Sequence, residues 1–340
     1  MNRDNFVQLS EQTKTNVFME TATRKAIPSV AVEKDWWVTT ILRALFSLPY
    51  AENLSFKGGT SLSKCWNLIE RFSEDIDIAV NREYLGFVGV LSKTQINNRL
   101  RRAACSFTRE VLQFDLKNQL KANGINSNLF FVNVNITPIT TTDPEIIEII
   151  YQSLFDDNDY IKPVIKIEVS GRSMNEPLQS IKLQSFIDEA FTNTSFVNLP
   201  FNVNAVVPQR TFIEKIFLLH EEFAKPQESM RIERLSRHLY DLAQIMNTPI
   251  AQEALNNEQL YNSVIEHRRV FVGLKDFDYS TLVPKTIIIT PPENIIHQWK
   301  VDYEIMQKTM IYGNSLSFAE LIDKIRQLNE MINQLNWQML

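Results

Sequence analysis

Apolar and polar positions alternate with a period of two across several short stretches of the first two hundred residues, and recur with a period near 3.6 elsewhere. The spacing predicts a helix over about Ser10 to Ala26, opened by Ser10. A second runs from about Val30 to Leu48, with Trp37, Ile41, Ala44, Leu45 and Leu48 along one face. A short apolar run then ends at Leu54 and Phe56, and Gly58-Gly59 break it. Leu62, Cys65, Trp66 and Ile69 recur at helical spacing after the break, predicting a helix through them. In the strand that follows, Asp75, Asp77 and Ala79 share one face, and Ile76, Ile78 and Val80 the other.

A long helical stretch from about Thr94 to Lys121 is closed by Gly124. Strand-like runs follow at Leu129 to Ile136, Glu145 to Tyr151, Pro163 to Ser170, Ser180 to Gln184 and Asn202 to Val207. From there the pattern is helical: Thr211 to Phe223, Arg231 to Met246, Glu258 to Phe271, Asn294 to Ile311 and Ser317 to Leu335. The last opens on Ser317 and Glu320, a capping box. The change of character near Pro208 predicts a domain at 1–207 and a helical one at 208–340.

Composition narrows the class without naming a function. The 340 residues are 44% hydrophobic and 22% charged, an ordinary globular balance. A net charge of −5 gives no global field for nucleic acid, so local patches must carry any such role. Cys65 and Cys105 form no metal or disulfide pattern and read as buried thiols in a reducing cytosol. His220, His267 and His297 lack zinc-ligand spacing. No signal core or bilayer-length apolar segment is visible, so a cytoplasmic protein is expected.

The candidate chemistry lies between Phe56 and Val80, FKGGTSLSKCWNLIERFSEDIDIAV. Asp75 and Asp77 point the same way out of a strand whose other face is apolar. Just upstream, a glycine turn opens a helix, where free N–H groups favour an anion. A phosphate site beside a divalent-metal site is the chemistry of nucleotidyl transfer. Either half alone is common punctuation in soluble chains; their spacing is what makes the pair informative. In PVIKIEVS, Lys166, Glu168 and Ser170 share a face, so Glu168 is placed as a third carboxylate if that strand lies beside Asp75–Val80. Arg172 follows Gly171 in a turn, within reach of a phosphate.

GGTSLSK followed by RFSEDIDI resembles the signature of the AbiEii-type nucleotidyltransferases, toxins of bacterial abortive-infection and toxin–antitoxin pairs within the polymerase β-like superfamily. RTFIEKIFLLH and RLSRHLYDLAQI resemble the family's second signature, so the likeness runs from about Glu33 to about Met246. It implies an α/β fold, a mixed polymerase β-like sheet with flanking helices plus a helical C-terminal domain, with the active site in the cleft between them. By the same likeness Lys215 contacts the nucleotide triphosphate and Asp241 belongs to the active site, while an interhelical salt bridge is the plain alternative for the two. Asp75, Asp77 and Glu168 would hold Mg²⁺ or Mn²⁺, although the superfamily more often has Asp at the third position. Gly58, Gly59, Thr60 and Ser61 would hold phosphates of the NTP, with Lys64 and Arg172 beside them. Glu33-Lys34-Asp35 corresponds to a family stretch, and Lys34 or Asp35 is expected to brace the glycine turn.

Family members tend to modify the 3′ end of tRNA, which implies an RNA acceptor, and a cognate antitoxin is a possible partner. A tRNA needs a basic wall, for which Arg99, Arg101, Arg102, Arg231, Arg234 and Arg268 are candidates. The alternatives are nucleotidylation of a small molecule or of a protein, and a silent nucleotide-binding protein that keeps the fold.

Overall fold

The computed structural model describes residues 5–73, 75–135, 145–156, 161–174 and 176–337. Its contacts divide the chain into two units. The first comprises Met1–Cys65 and Glu74–Val206, the second Trp66–Ser73 and Val207–Leu340. Eight residues from the middle of the predicted catalytic motif thus pack with the C-terminal unit, which no periodicity announced.

In the first unit, helices α1 (Glu11–Lys25) and α2 (Ser29–Leu45) precede strand β1 (Leu54–Lys57) and helix α3 (Gly58–Lys64). Ser10 caps α1 by accepting the Thr13 N–H, and Ala26 ends it in the left-handed region. Strand β2 (Asp75–Val80) is followed by helical turns from 95 to 122, in which α4 (Arg101–Phe107) and α5 (Gln113–Ala122) are each preceded by a π-helical turn. Strands β3 (Phe130–Asn135), β4 (Glu145–Tyr151), β5 (Val164–Ser170) and β6 (Leu178–Leu183), helix α6 (Phe186–Ala190) and strand β7 (Phe201–Val206) complete it. Ile136, the predicted end of β3, lies outside the described residues.

The seven strands form one mixed sheet in the order β3-β4-β5-β2-β1-β7-β6. β2 runs antiparallel to β1 and parallel to β5, placing the carboxylate strand near the middle. One face is apolar: Ile76, Ile78, Ile147, Ile149, Ile165, Ile167 and Val169 are all buried. Trp37 of α2 stacks on Tyr151 on that face at 5.0 Å. Helix α2 is buried nearly all round, where the spacing predicted a single apolar face.

The second unit is helical: α7 (Pro208–Phe223), α8 (Ser236–Ile245), α9 (Pro249–Leu255), α10 (Glu258–His267), α11 (Ile296–Thr309) and α12 (Phe318–Asn333). Pro208 sits in the first turn of α7, where its missing N–H costs nothing. The Ser317–Glu320 capping box opens α12. Helix α8 starts five residues later than the spacing predicted. Arg234 adopts φ +60°, and Asp302 accepts the backbone N–H groups of Arg234 and Ser236, so the helix cannot extend back to Arg231. Arg234 therefore does not share a helical face with His238 and Asp241.

Candidate active site

The glycine turn and the carboxylate strand meet as close packing, not only as sequence neighbours. Gly58 has φ +78°, and a Cβ there would lie 1.8 Å from Asp77 Oδ2. Only glycine fits, for both backbone and space. The Thr60 hydroxyl donates to the Asp75 carbonyl, tying α3 to the start of β2. Asp77 pairs in register with Glu168 on one side and with Lys57 on the other. Residues in register point to the same face, so Asp77, Glu168 and Lys57 lie in one row, with Asp75 and Lys166 in the next. Lys57, which the motif reading passed over, donates to Ser173 Oγ at 3.1 Å, beyond the turn that carries Arg172.

The predicted phosphate ligands separate into two groups. Gly58 and Gly59 are half-buried at the head of α3. Thr60 and Ser61 are buried, and the Thr60 hydroxyl already serves Asp75, so those side chains do not face outward. Lys64 is paired with Asp35 in a buried salt bridge and lies 5.0 Å from the Phe186 ring. Asp35 also accepts the Phe186 N–H at 2.8 Å. Asp35 thus holds Lys64, expected beside the phosphates, and links it to the start of α6. Its neighbours do similar work: Glu33 accepts from Ser153 Oγ and the Leu154 N–H, and Lys34 donates to the Lys162 carbonyl. Three successive charged residues of α2 are buried because each satisfies a different backbone segment.

Helix α3 is seven residues long, and the predicted helix through Trp66 and Ile69 does not form. Cys65 caps it, Asn67 turns with φ +51°, and the chain enters the second unit. There Arg71 forms an antiparallel bridge with Ile311, and the Phe72 N–H donates to the Met310 carbonyl at 2.7 Å. Tertiary pairing overrides the apolar spacing.

A second charged cluster lies wholly in the second unit. Arg71 grips Asp241 at two points, Nε to Oδ1 at 2.7 Å and Nη2 to Oδ2 at 2.8 Å. Lys215 Nζ reaches the same Oδ2 at 2.8 Å and His238 Nδ1 at 3.2 Å. All four side chains are buried. Burial would raise the Asp241 pKa, but Arg71 and Lys215 hold it well below the usual carboxylate range. Burial lowers Lys215, against the pull of Asp241. His238 is pushed well below its ordinary value by burial and then by Lys215 and Arg237, so it is neutral and can accept from Lys215. The predicted Lys215–Asp241 pair is thus present, and Asp241 has a further partner in Arg71, which holds both of its oxygens. Sequence spacing offered no sign of Arg71 beyond its place in RFSEDIDI.

Among the described residues, no three carboxylate, imidazole or thiol side chains gather tightly enough to form a metal cage by themselves. The carboxylates on β2 and β5 are nonetheless oxygen donors of the type a hard divalent cation takes when substrate phosphates complete its coordination. Of the predicted basic residues, Arg101 is buried and Arg268 pairs with Glu221 with little of its side chain exposed. Arg231 pairs with Glu222 but stays exposed, as do Arg99, Arg102 and Arg234.

A family model described as nucleotidyl transferase AbiEii toxin, type IV toxin–antitoxin system, matches residues 40–324. The chain belongs to the AbiEii family. It is therefore a nucleotidyltransferase toxin of a type IV toxin–antitoxin system, which implies an NTP substrate and an antitoxin partner. The solved structure of MenT4, a nucleotidyltransferase toxin from Mycobacterium tuberculosis H37Rv, is similar in fold. Its TM-score is 0.56 at 18% identity, over 96% of this chain and 91% of that one. JHP933 from Helicobacter pylori matches with a TM-score of 0.34 at 15% identity, over 88% of this chain and 97% of that one. No curated protein matches the AbiEii chain. No described helix is long and apolar enough to cross a membrane.

Proposed function

We propose that this AbiEii-family chain transfers a nucleoside monophosphate from an NTP to the 3′-terminal hydroxyl of tRNA, with Mg²⁺ or Mn²⁺ held by Asp75 and Asp77 and reached by Glu168. The observation that carries the metal and nucleotide part is the seating of Asp77 directly on Gly58, which sets a carboxylate against a glycine turn. When bound, the metal supplies charge neutralisation at the phosphates and a lowered pKa for the attacking hydroxyl.

The chain's own groups have distinct tasks. The N–H groups of Gly58 and Gly59, which open a helix and so lack intrahelical partners, bind phosphate oxygens. An ammonium has three N–H donors. Two of those on Lys215 go to Asp241 and His238, and the third has no partner among the described residues, which suits it to a phosphate oxygen. Arg172 lies in the turn after β5 and offers a further cation. Donors of these kinds offset negative charge of the type that builds up on departing pyrophosphate.

The RNA acceptor rests on the family likeness and on the exposed Arg99, Arg102 and Arg234. A second reading, transfer to a small molecule, is favoured by the pairing of Arg268 with Glu221 and the burial of Arg101. The deciding experiment incubates the purified protein with each labelled NTP, Mg²⁺ and total cellular RNA. Label in a tRNA band supports the first reading. Consumption of NTP only when small-molecule extract is added supports the second.

A further inference from the structure

The sheet face that carries the carboxylates continues across β5, β4 and β3, all within the first unit. Residues in register share a face, so its rows can be followed strand by strand. The row of Asp77 and Glu168 continues to Ile146 on β4. The row of Asp75 runs through Lys166 and Glu148 to Asn133 on β3. One row further on, Phe131, Ile150 and Val164 lie side by side. Phe131 is 60% exposed and Ile150 43%, whereas Phe130, Ile149 and Tyr151 are buried on the opposite face.

We propose that Phe131, flanked by Ile150, is the stacking platform for an unpaired nucleobase near the 3′ end of the RNA acceptor. The proposal rests on the reading above, transfer to RNA at Asp75 and Asp77.

Position, distance and chemistry select this occupant. Strands β1 and β5 flank β2 on opposite sides, and Gly58 leaves β1 to pack on Asp77. With the triphosphate held at that glycine turn, pyrophosphate departs on the β1 side. An in-line displacement then brings the attacking hydroxyl from the other side, which is that of β5, β4 and β3. Strands about 4.8 Å apart and a row step of about 6.7 Å put Ile150 roughly 12 Å from Asp75, and Phe131 roughly 16 Å. Stacked nucleotides rise about 3.4 Å each, so that span is at most about five nucleotides of a single strand. It is too far for the nucleotide that reacts and suits those just before it.

Every base has a flat apolar face that stacks on an aromatic ring, and exposed rings on a sheet serve single-stranded RNA in this way. Between the platform and the carboxylates stand the exposed Lys166 and the half-buried Asn133 and Glu148. They offer a cation for phosphate and an amide and a carboxylate for base edges. A small apolar patch bordered by such a row suits one or two bases and falls short of a stable protein interface.

The test uses fluorescence anisotropy on the full chain with a labelled single-stranded RNA bearing a free 3′ hydroxyl. A second RNA is identical but abasic at the positions before its terminal nucleotide. Phe131→Ala is expected to bind the first RNA about tenfold more weakly, the effect of one lost stacked base. On the abasic RNA it should match the unsubstituted chain within about twofold, because the interaction is already gone. The loss should persist at high salt, unlike that of a phosphate contact. Phe131→Trp keeps a ring and should restore binding. Equal losses on both RNAs overturn the platform, as does unchanged affinity for the base-bearing RNA. Normal RNA binding with weaker binding of a non-hydrolysable NTP analogue also overturns it, giving the ring to the nucleotide's own base. Failure of the RNA reading looks different: the unsubstituted chain then neither binds nor labels the RNA, and both fall together. If Phe131→Ala binds and labels RNA as the unsubstituted chain does, only the platform falls. Should Phe131→Ala not fold, Phe131→Leu decides, since it keeps an apolar side chain opposite Ile150 and loses the ring. At least about threefold weaker binding of the base-bearing RNA is expected, and unchanged affinity overturns the proposal.

Discussion

Gly58 and Asp77 occupy space that leaves no room for a Cβ: an added carbon would stand 1.8 Å from the Asp77 carboxylate, at a φ of +78°. Gly58→Ala should therefore act twice. The left-handed backbone alone costs about 1–2 kcal/mol with a β-carbon, and Asp77 must also move. Thermal unfolding should show a lowered midpoint, and transfer should fall further than stability explains. Wild-type transfer by a folded Gly58→Ala protein would show that Asp77 is not used where it stands.

Asp77→Asn removes a charge from a half-buried side chain and little packing, so the fold should survive. Loss of several kcal/mol of transition-state stabilisation corresponds to a rate loss of roughly a hundredfold or more. Glu168→Gln should be milder, raising the Mg²⁺ concentration needed for half-maximal rate. Mg²⁺ titrations of both variants check this. An unchanged titration for Glu168→Gln would leave Glu168 as a strand glutamate only.

Lys215→Ala removes one of two cations that share Asp241. Breaking a buried pair costs roughly 3–5 kcal/mol when the partner is left alone, but Arg71 still holds Asp241, so the loss should be smaller. NTP affinity should weaken for every acceptor alike. Arg99→Glu with Arg102→Glu should instead weaken RNA binding, and more at low salt, because phosphate contacts release counterions. NTP binding unaffected by Lys215→Ala would make that lysine structural.

His238 supplies a pH dependence of defined sign. In the fold it is held neutral well below its ordinary value of 6.5, facing Lys215, Arg237, Asp241 and Arg71. Below about pH 6.5 the unfolded chain takes up a proton that the folded one refuses, so stability falls as pH drops. The limiting slope is about 1.4 kcal/mol per pH unit for each such histidine. His220, also lowered by burial, contributes with the same sign. His238→Gln keeps an acceptor for Lys215 and should flatten the slope between about pH 5 and 6.5. Denaturant unfolding across that range measures it, and an unchanged slope would assign the effect elsewhere.

Local chemistry determined much of this protein from sequence. The alternation through Asp75–Val80 set two carboxylates on one face, because side chains on a strand point alternately. Ser10 and Ser317 marked helix starts because a short hydroxyl satisfies the free N–H groups there. Family membership was legible in GGTSLSK and RFSEDIDI. The tertiary structure alone placed Glu168 in register with Asp77, ended α3 at Lys64, buried Arg101 and separated Arg234 from α8. It alone joined Arg71 to Asp241, 170 residues away. Periodicity reports which face of an element is apolar. It cannot report which partner a buried charge will find, because desolvation is settled between distant segments only once both have packed.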